Sequence, residues 1–411
     1  MNHSEANKVL MIAYACNPEG TGEHWLGWGW AQQAAQNHRV HLITTTNARE
    51  PIERHAKLHG IQTHFVPLPA GWRSLTNPFG RLGAWVRKMI WAYHAAALAD
   101  QLHEREQFAL VHQTTFHTFR IPFLATRLGI PSVWGPVAGG EHIPYGFYKF
   151  IGPLFLPESI RRVVNRIWLG LPVVQRTLTH TSVIFVSNHT TKDYLGPEFA
   201  AKCVVVPPNA MRPEDERTPV CDRRHADQTF RMLYAGNALA TRAMPLAFAA
   251  LARAHLSDWE LTIIGAGTGL KLWQREARHH RIEDRVKFLG QLPHGELAKH
   301  YDAADLLVFP ALRDSGGSAL LEAMSKGLPV ICLDWGGPPE MVEAETGVKI
   351  PVTTPERTIE QFAEALVRLR QDPQLRHRLG TAAAQRARDH FTWAVKRRLL
   401  EATYHRLLLP R

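Results

Sequence analysis

"DLLVFPALRDSGGSALLEAMSKG", residues 305–327, decides how the rest of the chain is read. An apolar run of strand length (305–311) gives way to a polar loop holding the pair Gly316 and Gly317. A short apolar stretch of helical period follows, with Gly327 placed to cap its C-terminus. Repeated strand, loop and helix in this order build parallel sheets covered by helices.

The same alternation continues to either side. Candidate strands in the first half are KVLMIAYA (8–15), RVHLITT (39–45), THFVPL (63–68), FALVHQ (108–113), IPSVWG (130–135), SVIFVSN (182–188) and KCVVVPP (202–208). Those in the second are FRMLYAG (230–236), WELTIIGAG (259–267), RVKFLGQ (285–291), DLLVFPA (305–311), LPVICLD (328–334) and GVKIPV (347–352). Between the two series, residues 209–228 are dense in charge and proline and have little apolar period, which marks a linker. The expected organisation is a first Rossmann-like domain over 1–208, this linker, a second Rossmann-like domain over 229–390, and a C-terminal helix over 391–411 that crosses back to the first domain. Open α/β sheets of this kind hold ligands outside the carboxyl ends of their strands, so a cleft between the domains is the default place for a site.

At 411 residues and 45% hydrophobic, the chain has material for a large core, and its length favours about two or three domains. Its 48 Lys and Arg against 37 Asp and Glu leave a net charge of +11, which suits anionic partners but equally a merely solvated basic surface. Cys16, Cys203, Cys221 and Cys332 form no C-x-x-C pair, so a reduced cytosol and no zinc site are expected. The polar start and broken first apolar run do not read as a signal peptide, and no apolar run reaches the roughly 18 residues of a membrane span.

Two stretches interrupt the alternation. Residues 71–98 mix Trp72, Phe79, Trp85, Trp91 and Tyr93 with Arg73, Arg81, Arg87 and Lys88, and residues 145–172 repeat the mixture. Large rings interleaved with cations suit a helix resting on anionic lipid; they equally suit rings that cover the sheet.

The chemistry returns to 313–327. Glycines at a helix start let a ligand approach the backbone, and the unpaired N–H groups there favour an anion such as phosphate. Asp314 and Glu322, eight positions apart, would repel a bare phosphate. A nucleotide sugar reconciles them: Glu322 would take ribose hydroxyls and Asp314 the transferred sugar. The plainer alternative is a capping acid and a solvent-facing Glu. IIGAGTGL (263–270) invites a dinucleotide-binding reading, but Leu270 stands where the third glycine belongs and no acid ends the next strand. Nucleic acid is a poor partner, because no nucleic-acid-binding motif accompanies the positive charge.

The run DSGGSALLEAMSKGLPVICLDWGGPPEMV (314–342) resembles the signature of the retaining glycosyltransferases of family 4, two acids eight apart followed by Glu-Ala-Met-x-x-Gly-x-Pro-Val. YACNPEGTGEHWLGWGWAQQAAQ, VHQTTFHTF, GPVAGGE, VPPNA, LYAGNALATRA and IIGAGTGLKL look like further landmarks of that family, so the likeness covers nearly the whole chain. The resemblance implies the GT-B fold, two Rossmann-like doubly wound α/β domains. It further implies transfer of a sugar from a UDP or GDP donor to an acceptor hydroxyl with retention, the leaving phosphate taking the acceptor's proton. The GPVAGGE loop and LRDSGG form look most like a bacterial subgroup of surface-polysaccharide assembly.

Residue by residue, the resemblance implies that Glu322 binds ribose, that Asp314 meets the donor sugar, and that the backbone at Gly316, Gly317 and Ser318 holds the diphosphate. Asp314 stands where the family usually has the longer Glu. The family's Arg and Lys-Gly diphosphate clamp appears as Asn237, Arg242 and Ala243, so one cation is lost and Arg242 remains to neutralise phosphate. Leu289, within FLGQ, falls where the backbone meets the base. Gly20, Gly22 and Glu23 form a glycine-rich loop toward diphosphate and acceptor. His112 resembles the histidine near the donor sugar, with His117 a second candidate, and Glu141 and His142 are expected on the acceptor side. Asp314, Arg242 and His112 are thus the expected catalytic set. The family generally uses no catalytic metal, and no cofactor is expected. The acceptor is expected to be a saccharide or a lipid-linked one, which with the two aromatic and basic stretches suggests a cytoplasmic protein peripheral on the inner membrane face. A GT-B sugar-nucleotide epimerase and a non-catalytic nucleotide-sugar-binding protein are the alternatives.

Overall fold

The computed structural model describes residues 7–68, 71, 80–216 and 229–409. Each apolar run singled out in the sequence forms a strand: β1 (Lys8–Ala13), β2 (Arg39–Thr45), β3 (Gln62–Val66), β4 (Leu110–Gln113), β5 (Ser132–Val137), β6 (Val183–Val186), β7 (Cys203–Val205), β8 (Phe230–Ala235), β9 (Trp259–Ile264), β10 (Val286–Gly290), β11 (Leu306–Phe309), β12 (Val330–Asp334) and β13 (Gly347–Pro351). The inner runs are continuously apolar because helices cover both faces of a parallel sheet: all four residues of β4, β6 and β11 are buried.

The strands make two all-parallel sheets. One has the order β3-β2-β1-β4-β5-β6-β7 and the other β10-β9-β8-β11-β12-β13. In each, the order reverses direction once, at β1 beside β4 and at β8 beside β11. At such switch points the loops leaving neighbouring strands diverge and open a crevice.

The chain divides into two compact units. The first takes the described residues up to Gly140, Val164–Pro208 and the described residues from Trp393 onward; the second takes Glu141–Val163 and the described residues of Asn209–Thr392. Residues 141–163 therefore lie in the second unit, although the sequence placed them in the first domain. The reason is packing: Ile143, Phe147, Phe150 and Ile151 are buried in one cluster with Phe230, Met232, Phe248 and Phe309 of the second unit. The helix Trp393–Leu408 belongs to the first unit, where Trp393 packs edge-on to Trp30, 5.8 Å between ring centroids, and Tyr404 is fully buried.

For the aromatic stretches, the structure decides for the core at Trp91, Phe147 and Phe150, which are buried. Trp91 also donates from Nε1 to the Val66 carbonyl oxygen, 3.1 Å. Trp72, Arg73 and Phe79 lie outside the described residues. Among those described, no helix is long and apolar enough to cross a membrane.

Candidate functional site

In the second unit the site grows from the two loops at the β8/β11 switch point. The loop after β11 turns tightly about Asp314, which is buried. Its Oδ1 accepts from the Gly316 N–H at 2.6 Å, and its carbonyl oxygen accepts from the Gly337 N–H at 2.8 Å. Gly337 has to be glycine, since a Cβ there would collide with the Ser315 and Gly316 backbone. Beyond the turn, Gly317 stands before the helix Ser318–Ser325 with no side-chain cap on its first N–H groups. Those amides and the helix dipole make the loop attractive to an anion.

The loop after β8 carries Arg242, whose guanidinium pairs with Asp314 Oδ2 and donates to the Arg313 carbonyl oxygen at 3.3 Å. It also stands 5.6 Å from the centroid of the Phe309 ring. Burial pulls Arg242 below its ordinary range, while Tyr234 and Glu141 push it back up. An arginine so placed stays cationic.

Glycines of the GAGTG run hold this loop in place. Ala238 donates to the Ala266 carbonyl oxygen at 3.0 Å, and Gly269 donates to that of Ala238 at 2.7 Å. Gly265 has φ +141°, and a Cβ on it would run into the Gly236 carbonyl oxygen. The run that looks like a dinucleotide fingerprint is thus a packing device for the loop that bears Arg242. Ala243, where the family pattern has glycine, takes the left-handed conformation at φ +48°.

The other expected donor residues fall around these loops. Glu322 is half-buried on the Ser318–Ser325 helix and accepts from the Tyr301 hydroxyl at 2.9 Å. Burial and that carboxylate push the Tyr301 phenol well above its usual range. Asn237 is exposed, with its carbonyl oxygen accepting from the Tyr234 hydroxyl at 2.9 Å. Leu289 is 42% exposed near the carboxyl end of β10. Ser318 is exposed, and the Gly316 carbonyl oxygen accepts from the Asn209 amide.

Glu141, expected on the acceptor side, is buried close to Gly336 and acts electrostatically on Arg242, so it sits at the Asp314 loop. One feature of the site was not read in the sequence. Glu158, only 2% exposed, lies between two arginines: Arg161 Nε is 3.1 and 3.0 Å from its carboxylate oxygens, and Arg313 pairs with Oε2. Arg161 also donates to the Glu141 carbonyl oxygen. This buried cluster braces the residue before Asp314. Glu158 is the single acid in the basic stretch 145–172, the one signal that could have drawn attention to it.

In the first unit, expected residues gather at the β1/β4 switch point. Gly22 has φ +56° and starts the helix Glu23–Ala34; Gly20 precedes it in the loop. Glu23 Oε1 accepts from the Phe116 N–H at 2.8 Å. Phe116 has φ +84° and His117 +23°, an uncommon backbone for side chains of this size. Tyr14 stacks on Phe116 at 4.9 Å, and burial lowers the His117 imidazole while Glu23 raises it.

His112 is a correction. It is 0% exposed, its Nε2 is 3.0 Å from the Gly135 carbonyl oxygen, and its Nδ1 is 2.7 Å from the Tyr404 hydroxyl. Because a carbonyl only accepts, Nε2 carries the proton and Nδ1 accepts from Tyr404. Burial pulls this imidazole down to about 4, against which the Gly135 carbonyl works. Both nitrogens being engaged in the interior, His112 packs the unit and is not presented to a sugar. Among the described residues, no three or more His, Cys, Asp or Glu are grouped to hold a metal ion.

Comparison with known proteins bears on the fold and on the sequence pattern of the second unit. Residues 223–386 match the family Glycosyl transferases group 1, so the second unit carries that family's sequence pattern. A D-inositol 3-phosphate glycosyltransferase of Corynebacterium diphtheriae is 35% identical over 34% of this chain and 32% of its own length. The match thus spans about a third of that relative. A longer alignment, 26% identical over 82% of this chain and 95% of the relative, is with the GDP-mannose-dependent alpha-(1-6)-phosphatidylinositol monomannoside mannosyltransferase of Mycolicibacterium smegmatis. Among solved structures, sucrose-phosphate synthase of Thermosynechococcus elongatus superposes with a TM-score of 0.65 at 19% identity, covering 98% of this chain and 99% of that one. The chain has the GT-B fold of two parallel-sheet, Rossmann-like units.

Proposed function

We propose that this chain is a group 1 glycosyltransferase that moves a sugar from a UDP or GDP donor to an acceptor hydroxyl, with retention, in bacterial polysaccharide or glycolipid assembly. The observation that carries the reading is the meeting of Arg242 and Asp314 at the β8/β11 switch point, beside Gly316, Gly317 and an uncapped helix start. The family match over the same unit and the nucleotide-sugar donor in the name of the mycobacterial relative support it.

In this reading the diphosphate lies against the amides of Gly316, Gly317 and Ser318. Arg242 exchanges its Asp314 partner for phosphate oxygens, and the freed Asp314 carboxylate turns to a sugar hydroxyl. Glu322 receives the ribose hydroxyls and Tyr301 holds its carboxylate in place. As the bond from the anomeric carbon to the diphosphate breaks, charge grows on the leaving oxygen, and Arg242 and the helix dipole stabilise it. The acceptor oxygen bonds to the same face of that carbon and passes its proton to the leaving phosphate. On the acceptor side, Glu23 and the strained backbone at 116–117 hold His117, with its Nε2 buried, in the first unit.

The test is incubation with a panel of UDP- and GDP-sugars, with and without lipid-linked saccharide acceptors, following release of nucleoside diphosphate. One donor should give release that Arg242→Ala abolishes, and the product's anomeric signal by NMR should match the donor's configuration. No release from any donor would overturn the reading, and an inverted product would overturn retention.

A further inference from the structure

The helix Phe155–Leu169 is inside out for a helix in water. Its buried positions are polar: Glu158 and Asn165 are each 2% exposed. Glu158 holds Arg161 and Arg313, while Asn165 accepts from Arg120 Nε at 2.6 Å. Its outward positions are mostly aliphatic, with Phe155, Pro157 and Arg166 beside them. Leu156, Ile160, Val163, Val164 and Ile167, spaced to share one face, are between 44% and 63% exposed. A contiguous apolar face of this kind on a soluble protein marks something that covers it.

Charge indicates what the cover is. Residues 145–172 carry Lys149, Arg161, Arg162 and Arg166 against the single acid Glu158, and that acid is buried and paired. The exposed part of the stretch is therefore apolar and cationic. Arg166 flanks the aliphatic face, Arg176 is exposed on the next helix, and Arg162 stands 4.1 Å from the centroid of the Tyr145 ring, itself 66% exposed. A two-fold contact with a second copy through this face would bring those cations together with no acid to pair them. An anionic lipid surface meets both requirements, taking the aliphatic face into the acyl boundary and the cations at its phosphates.

We propose that the Leu156–Ile167 face of this helix docks the protein on an anionic bilayer. The anchor is aliphatic, and the buried rings at Phe147 and Phe150 are not part of it.

Co-sedimentation with phosphatidylglycerol–phosphatidylcholine vesicles at low ionic strength tests this. The wild-type protein should bind, and the double variant Ile160→Glu/Ile167→Glu should bind at least about tenfold more weakly, as loss of two buried aliphatic side chains implies. Thermal midpoints check that the variant is folded; should it not be, Ile160→Ser/Ile167→Ser is measured instead and should still lose several-fold. Weaker binding at high salt and to pure phosphatidylcholine supports the cationic share. Failure of the wild-type to bind, binding unchanged in the folded variants, or a lipid-independent dimer that the variants dissociate would each overturn the proposal.

Discussion

His112 gives a quantitative test of the fold's interior. With the imidazole held at about 4 when folded and 6.5 when unfolded, the unfolded chain binds the proton more tightly. The folded pKa is the lower, so its contribution is fully present above about pH 6.5 and is lost as pH falls toward 4. Linkage between about pH 7.5 and about pH 5 gives a loss near 2 kcal/mol from this group alone. His112→Gln removes the titration while keeping an amide donor for Gly135 and an acceptor for Tyr404. Urea unfolding of both proteins at the two pH values isolates the effect, because other buried histidines titrate in both. The wild-type should lose about 2 kcal/mol more than the variant on acidification. Equal losses would refute the reading of His112 as a buried, neutral packing residue.

Other substitutions probe the framework of the second unit. Glu158→Gln leaves Arg161 and Arg313 without their buried counter-charge and should destabilise by about 3 kcal/mol in urea unfolding; a change under about 0.5 kcal/mol would remove the cluster from the account. Gly265→Ala forces a side chain at φ +141° against the Gly236 carbonyl and should cost at least about 2 kcal/mol. It should also weaken donor binding, since the displaced loop carries Arg242; unchanged stability and affinity would contradict the packing role of the GAGTG run.

The strands were legible because burial on both faces demands unbroken apolar runs, as in β1 and β11, and Pro310 ends the latter by having no N–H to donate. The Asp314 loop was legible too, because strand, glycine pair and helix start are consecutive in sequence. What escaped depends on partners far along the chain. Arg313 meets Glu158 across 155 positions, and His112 meets Tyr404 across 292. A histidine near the end of a strand reads alike whether its partner is a ligand or a tyrosine. Likewise, rings such as Phe147 and Phe150 show their apolar character but not which unit's core receives them, so residues 141–163 were placed with the wrong neighbours.

Titration of the protein with UDP and with GDP, by calorimetry, tests the central claim most directly. One nucleoside diphosphate should bind saturably at one site, and Arg242→Ala should weaken it by about a hundredfold, the loss expected when a buried charge-assisted clamp is removed. Binding of neither, or equal affinity in the Arg242→Ala protein, would contradict a diphosphate site at Arg242 and Asp314.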